Sequence, residues 1–223
     1  MSLLIRNADI VNARKRFTAD ILCENGVILA IGEGLAAPEG FEVIDATGKL
    51  VFPGFIDPHV HIYLPFMGTF SKDDYVSGSK AALMGGTTTL IEMCCPARSD
   101  DPLEAIKLWK SKAAGISSCD YTFHMGVTRF DESTTAALKT IVEDEGIQSF
   151  KVFLAYKGAF GIEDTELYQT LSLAKELGVV VTAHCENADL VSETQKKLVA
   201  EGKTGPESVS YTHLRAHETP EHL

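Results

Sequence analysis

From Val51 to Glu201 the sequence alternates short apolar runs with longer segments of helical character, a pattern that commits most of the chain to βα units around a parallel sheet. Five runs read as strands: VFPGFID (51–57), TTTLIEMC (87–94), CDYTFHMGVT (119–128), SFKVFLAY (149–156) and VVVTAHCE (179–186). The helical segments are 71–86, opened by Ser71 and closed by glycines, then 101–114, 132–145, 164–177 ahead of Gly178, and 189–201. Strands apolar on both faces suit either an open doubly wound sheet or a (β/α)8 barrel. Five strands are too few to close a barrel of eight. In a barrel the chemistry gathers at the C-terminal ends of the strands, so the place of the reactive side chains decides between the two.

Residues 2–50 follow a different rule. LLIRNADIV, ADILCENGVILAIGE and FEVIDATGKL read as short strands punctuated by Asn25-Gly26, Gly32, Gly34 and Gly48. The expected organisation is a small N-terminal β domain over 1–50, part of a β-sandwich, followed by the first part of the barrel over 51–207.

The formal charge of −11, from 31 acidic against 20 basic residues, opposes the phosphates of nucleic acid and the anionic face of a membrane. No apolar run is long enough to span a bilayer, and MSLLIRNADI lacks the apolar core of a secretory signal. A small-molecule substrate in the cytoplasm is the expectation. Cys23, Cys94, Cys95, Cys119 and Cys185 form an odd set without CxxC spacing, mostly inside apolar runs, and read as free buried thiols.

Three local signals carry chemistry. In FIDPHVHI, His59 and His61 sit two apart where the first strand ends, so their side chains point to one side and both imidazoles can reach one cation. A bare HxH is otherwise a pair of surface or core histidines. Lys151 lies in the middle of SFKVFLAY, where burying an ammonium is costly. Either a buried salt bridge compensates it, or the amine is neutral and takes up carbon dioxide to become a carbamate, an anionic oxygen ligand able to bridge two metal ions. His184, with Glu186 and Asn187 beside it, ends the fifth strand in VVVTAHCEN. Alone it reads equally as a core histidine. Barrel closure would bring His59, His61, Lys151 and His184 to one rim. Hydrolysing an amide near neutral pH needs a better nucleophile than water, and such a centre can supply it, because a bound metal lowers the pKa of water from 15.7 to about 7 and polarises the carbonyl. No general base stands out in the sequence.

At these residues the chain resembles the cyclic amidohydrolases, the dihydropyrimidinase and hydantoinase branch above all. PGFIDPHVHI is similar to the family's first-strand metal motif, LPFMGTFSKDDYVSGSKAALMGGTTTLIEM to its loop, helix and second strand, SFKVFLAYKGAF to its carboxylated-lysine segment, and AHCEN to the next metal strand. The resemblance covers roughly residues 2–207. It implies an incomplete (β/α)8 barrel holding two zinc ions per subunit, with His59 and His61 on the more buried metal, carboxylated Lys151 as the bridge and His184 on the second. Tyr156 matches the tyrosine that stabilises the tetrahedral oxyanion, though a strand-end aromatic packing on a helix is its plainer reading. The implied reaction is attack of a zinc-bound hydroxide on a small cyclic diamide, opening dihydropyrimidines or hydantoins to N-carbamoyl amino acids, in a cytoplasmic homotetramer.

Two features depart from the family pattern. Ile62 and Tyr63 follow the HxH pair where dihydroorotases and allantoinases place an arginine, which favours a ring without the dihydroorotate carboxylate. Family chains are also much longer and take a further metal histidine and the proton-shuttling aspartate from later strands. The stretch SVSYTHLRAHETPEHL does not continue the family pattern, so residues 208–223 read as a non-native tail and the chain as an inactive N-terminal fragment. His213 and His217 share a helix spacing, but Leu214 stands where a zinc-binding HExxH needs glutamate, so no zinc site is expected there. The alternatives are another cyclic amidohydrolase, such as an allantoinase, and a non-catalytic scaffold homologue that has lost the metal ligands.

Overall fold

The computed structural model describes residues 2–66 and 68–209, with Phe66 as backbone only. His213 and His217 lie outside the described residues. The chain divides into two compact units, Met1–Phe55 and Ile56–Leu223.

In the first unit, β1 (Ser2–Val11), β2 (Arg16–Glu24), β3 (Val27–Gly32), β4 (Glu42–Asp45) and β5 (Leu50–Val51) form one five-stranded sheet. β1 and β2 pair antiparallel, as do β2 and β3, while β4 and β5 run parallel to β1. Asn25 and Gly26 make the two-residue turn between β2 and β3 with φ of 50° and 79°, the doubly left-handed geometry that matches strand twist. Ala8, Ile10, Ala19, Ile21 and Ala46 form its core.

The expectation of one strand over 51–57 is corrected. Val51 pairs with Ile10 in this sheet, and the next strand, β6 (Phe55–Val60), starts only after Pro53 and Gly54. Proline cannot donate to a ladder, so the apolar run is shared between two sheets.

In the second unit β6 is followed by a small hairpin, β7 (Pro65–Phe66) and β8 (Thr69–Phe70), and then by alternating elements: α1 (Tyr75–Met84), β9 (Thr87–Cys94), α2 (Pro102–Ala113), β10 (Asp120–Gly126), α3 (Glu132–Glu145), β11 (Ser149–Phe153), α4 (Asp164–Leu177), β12 (Val180–His184) and α5 (Ala188–Ala200). The sheet order is β12-β11-β10-β9-β6, with β9 to β12 parallel, a partial (β/α)8 barrel wall.

Aspartates open three of the helices. Asp101 and Asp131 cap α2 and α3, and Asp74 caps α1 by accepting the Ser77 N–H at 2.8 Å while Ser77 returns the bond. Ser71, the expected cap of α1, instead donates its hydroxyl to the carbonyl of Ile62. Gly146 and Gly178 end α3 and α4 in the left-handed conformation, where a side chain would be strained.

Along β11 the side chains alternate, so Phe150 and Val152 enter the layer between sheet and helices with Ile106, Trp109, Met125, Leu138 and Ile141. Lys151 and Phe153 face the other way, where Met93, Cys95 and Phe153 cluster with Tyr156 and Phe160. All five cysteines are free, but only Cys94 and Cys95 are buried; Cys23, Cys119 and Cys185 are half-buried. Among the described residues no helix is long and apolar enough to cross a membrane.

Candidate metal centre

His59 is the next-to-last residue of β6 and His61 the first beyond it. Their ring centres lie 5.3 Å apart at an interplanar angle of 71°. Both residues are solvent-exposed, yet partial desolvation pushes the pKa of each imidazole down, and the charge of Lys151 acts on each in the same direction. Charges on His124 and His184 add to the effect at His59, which places all of these groups in one electrostatic neighbourhood. Neutral imidazoles are the form that binds a cation.

Lys151 is 3% exposed at the centre of β11. Burial lowers its pKa, with the nearby thiols of Cys95 and Cys185 opposing that shift. Its nitrogen stands 5.1 Å from the Phe153 ring, and among the described residues no carboxylate pairs with it. The buried salt bridge is therefore not what compensates this lysine.

His184 ends β12 in register with Phe153, two residues along from Lys151. Its ring centre is 5.3 Å from that of Tyr156 and 5.9 Å from that of Phe153. Its Nε2 lies 2.5 Å from Oε2 of the buried Glu186. Binding a cation through Nε2 would require release from Glu186; binding through Nδ1 would keep that bond as a carboxylate–imidazole–metal relay.

Tyr156 sits three residues past the end of β11, not at the strand end, with φ of 58°. A non-glycine residue in this region is held there by its surroundings. The N–H groups of Ala159 and Gly161 both donate to the Tyr156 carbonyl at 3.0 Å, and Ile162 N–H donates to Phe153 at 3.0 Å. A Cβ on Gly161 would come within 2.3 Å of the Ala155 carbonyl oxygen, so only glycine closes the loop. Arg98 secures it from the β9 end, donating to the carbonyls of Gly161 at 2.9 Å and Thr128 at 2.5 Å and to Glu166 at 2.9 Å. Burial, followed by the charge of Glu186, raises the Tyr156 pKa, so the phenol keeps its proton at neutral pH.

Among the described residues no three His, Cys, Asp or Glu side chains stand together as a ready cation site. The donor set is three imidazoles and one amine, none of them anionic. A pair of divalent ions needs an anionic oxygen between them, and a carbamate on Lys151 is the group that would supply it. The same change removes a buried ammonium that has no carboxylate partner among the described residues. With Lys151 carboxylated, these residues suit a metal pair.

Two buried side chains escaped the sequence reading. Glu92, fully buried on β9, has its carboxyl pushed up to about 7 by burial, against hydrogen bonds from Tyr75, Tyr63 and Ile62. His124, 6% exposed on β10, bonds Pro58 and Ser149. Each is an ionisable residue set between two large apolar neighbours in its strand, the signal that singled out Lys151.

Residues 50–218 match the amidohydrolase family. A dihydropyrimidinase of Dictyostelium discoideum is 43% identical over 92% of this chain and 41% of its own length; a D-hydantoinase of Geobacillus stearothermophilus is 46% identical over 92% and 44%. The solved structure of a D-hydantoinase (dihydropyrimidinase) from Thermus sp. superposes with a TM-score of 0.91 at 65% identity, covering 96% of this chain and 46% of that one. The chain thus spans under half the length of these relatives.

Proposed function

Because the chain belongs to the amidohydrolase family, we propose that it forms part of a hydrolase that opens the cyclic amide of 5,6-dihydropyrimidines or hydantoins to give N-carbamoyl amino acids. The observation that carries this reading is the buried Lys151, which has no carboxylate partner among the described residues, on the same sheet whose strand ends carry His59, His61 and His184.

In this reading His59 and His61 would hold one zinc ion and His184 the second, and Lys151, once carboxylated, would supply an anionic oxygen ligand to both. Two ions bound there would lower the pKa of a water to about 7 and polarise the ring carbonyl. The protein's own groups do the rest. The protonated phenol of Tyr156 donates a hydrogen bond to the oxygen that gains charge as the ring amide is attacked. Glu186 fixes the orientation of His184. Phe153, Phe160 and Tyr156 give the site an apolar wall that limits water. Ile62 and Tyr63 bring no cation to the segment after the HxH pair, which suits a neutral diamide ring better than one bearing a carboxylate.

His59, His61, Lys151 and His184 stand at four of the family's metal-ligand positions, which supports the enzyme over a non-catalytic scaffold. The five free thiols fit a reducing, cytoplasmic compartment, and by likeness to the family the enzyme works as a homotetramer.

Zinc content tests the reading. Protein prepared with zinc and bicarbonate should retain zinc, and the double variant His59→Ala/His61→Ala should lose it. Equal zinc in both would contradict the proposed centre. Turnover of dihydrouracil and hydantoin by the enzyme that contains this sequence tests the substrate class, and failure on both rings would remove it.

A further inference from the structure

Residues 58–63 carry both candidate histidines of the first metal, and a buried polar side chain holds the segment at each end. At the start, Nε2 of His124 lies 2.8 Å from the carbonyl oxygen of Pro58, the residue just before His59. Nδ1 of the same ring lies 2.5 Å from the hydroxyl of Ser149. A carbonyl oxygen can only accept, so Nε2 bears the proton and Nδ1 accepts from Ser149, a tautomer fixed from both sides. β9 stands between β10 and β6 in the sheet, so this bond reaches past a strand and is no part of the backbone ladder.

At the other end, one carboxylate oxygen of Glu92 accepts the N–H groups of Ile62 at 2.8 Å and Tyr63 at 2.5 Å, the two residues that follow His61. The second oxygen takes the phenol of Tyr75, brought in by α1. Between these ends, Asp57 accepts the His59 N–H at 3.1 Å. A carboxylate and an imidazole buried this deeply are costly unless fully bonded, and an apolar residue would fill either position of a βα unit at less expense. What the two groups do instead is fix the backbone on either side of the HxH pair.

We propose that His124 and Glu92 are positioning residues that set the orientation of His59 and His61 for cation binding. The inference rests on the metal centre proposed above. Two imidazoles bind a shared cation more tightly when their ring planes and separation are set before it arrives, and groups outside the coordination sphere that orient ligands typically change metal affinity by about ten- to a hundredfold.

The test uses Glu92→Gln and His124→Phe, with Tyr75→Phe and Ser149→Ala as gentler variants that loosen each anchor from outside. Leu138→Ala, in the core on α3, serves as a control for general destabilisation. Zinc affinity is measured by chelator competition below the melting temperature, and the χ1 populations of His59 and His61 by NMR couplings on metal-free protein. Zinc affinity should fall about ten- to a hundredfold in the first two variants, and less in the gentler pair. The two histidines should lose their single χ1 rotamer, whereas Leu138→Ala lowers the melting temperature and leaves both readouts unchanged. If Glu92→Gln or His124→Phe fails to fold, the gentler pair decides. Folded variants that keep wild-type zinc affinity and wild-type histidine rotamers overturn the proposal. A wild-type protein that binds no zinc would overturn the metal centre instead, and the rotamer populations would then decide the positioning role alone.

Discussion

Gly126 stands directly across from Lys151 in the β10–β11 register, and a Cβ on Gly126 would lie 2.6 Å from the carbonyl oxygen of Cys94. The obstruction is backbone, with the Cα of Cys95 at 3.1 Å and the ring of Pro96 at 3.3 Å, so nothing flexible can yield. The close approach of β9 and β10 beside the lysine therefore depends on glycine. Gly126→Ala should destabilise the protein by about 1–3 kcal/mol, the usual cost of overpacking a core, seen as a lower urea midpoint at unchanged slope. An unchanged midpoint would show that the strands part at no cost.

Glu166 links the loops after β9, β10 and β11. Burial pushes its carboxyl up, but the hydrogen bond from Arg98 and the N–H groups of Glu163 and Phe130 outweigh burial and hold the carboxyl below its ordinary range. A carboxylate whose folded pKa is depressed stabilises the protein above its unfolded pKa of about 4.3 and loses that contribution as pH falls through the folded value. Glu166→Gln should cost about 1.5–3 kcal/mol at pH 7, the range for a hydrogen bond to a charged group. The gap between wild type and variant should narrow in thermal melts below about pH 4.3. A gap that stays constant on acidification would remove the charged pair as its cause.

The helix ends show how far local rules reach. α3 and α4 begin and end where the sequence indicated, because Asp131 in one case and left-handed Gly146 and Gly178 in both are decisive within a single turn. Between Ser71 and Asp74 the choice needed a second residue, since Ser77 completes a reciprocal pair only with Asp74. The run 51–57 misled because both halves are apolar and only the partners differ. The proposed ligands His59, His61 and His184 stand out in the sequence by strand-end position, and Lys151 by a charge out of place. Glu92 and His124 carry the same local signal, but their partners lie 30 and 66 residues away in sequence, so their roles emerge only once the sheet is folded.

Tyr156 separates fold from chemistry. Its ring packs 6.2 Å from Phe153 and 5.3 Å from His184, centre to centre, contacts that a phenylalanine keeps. In the enzyme containing this sequence, Tyr156→Phe should leave zinc content and melting temperature near wild type while lowering kcat for ring opening about 10²–10³-fold, the typical loss of one oxyanion donor. A kcat near wild type would free the phenol from that role.

The proposed metal pair depends on Lys151, and ¹³C-bicarbonate tests that dependence most directly. Protein loaded with zinc and labelled bicarbonate should show one ¹³C carbamate signal that disappears in Lys151→Met, with the bound zinc falling in parallel. Full zinc uptake by Lys151→Met, or wild-type protein that binds zinc with no carbamate signal, would contradict the bridging lysine.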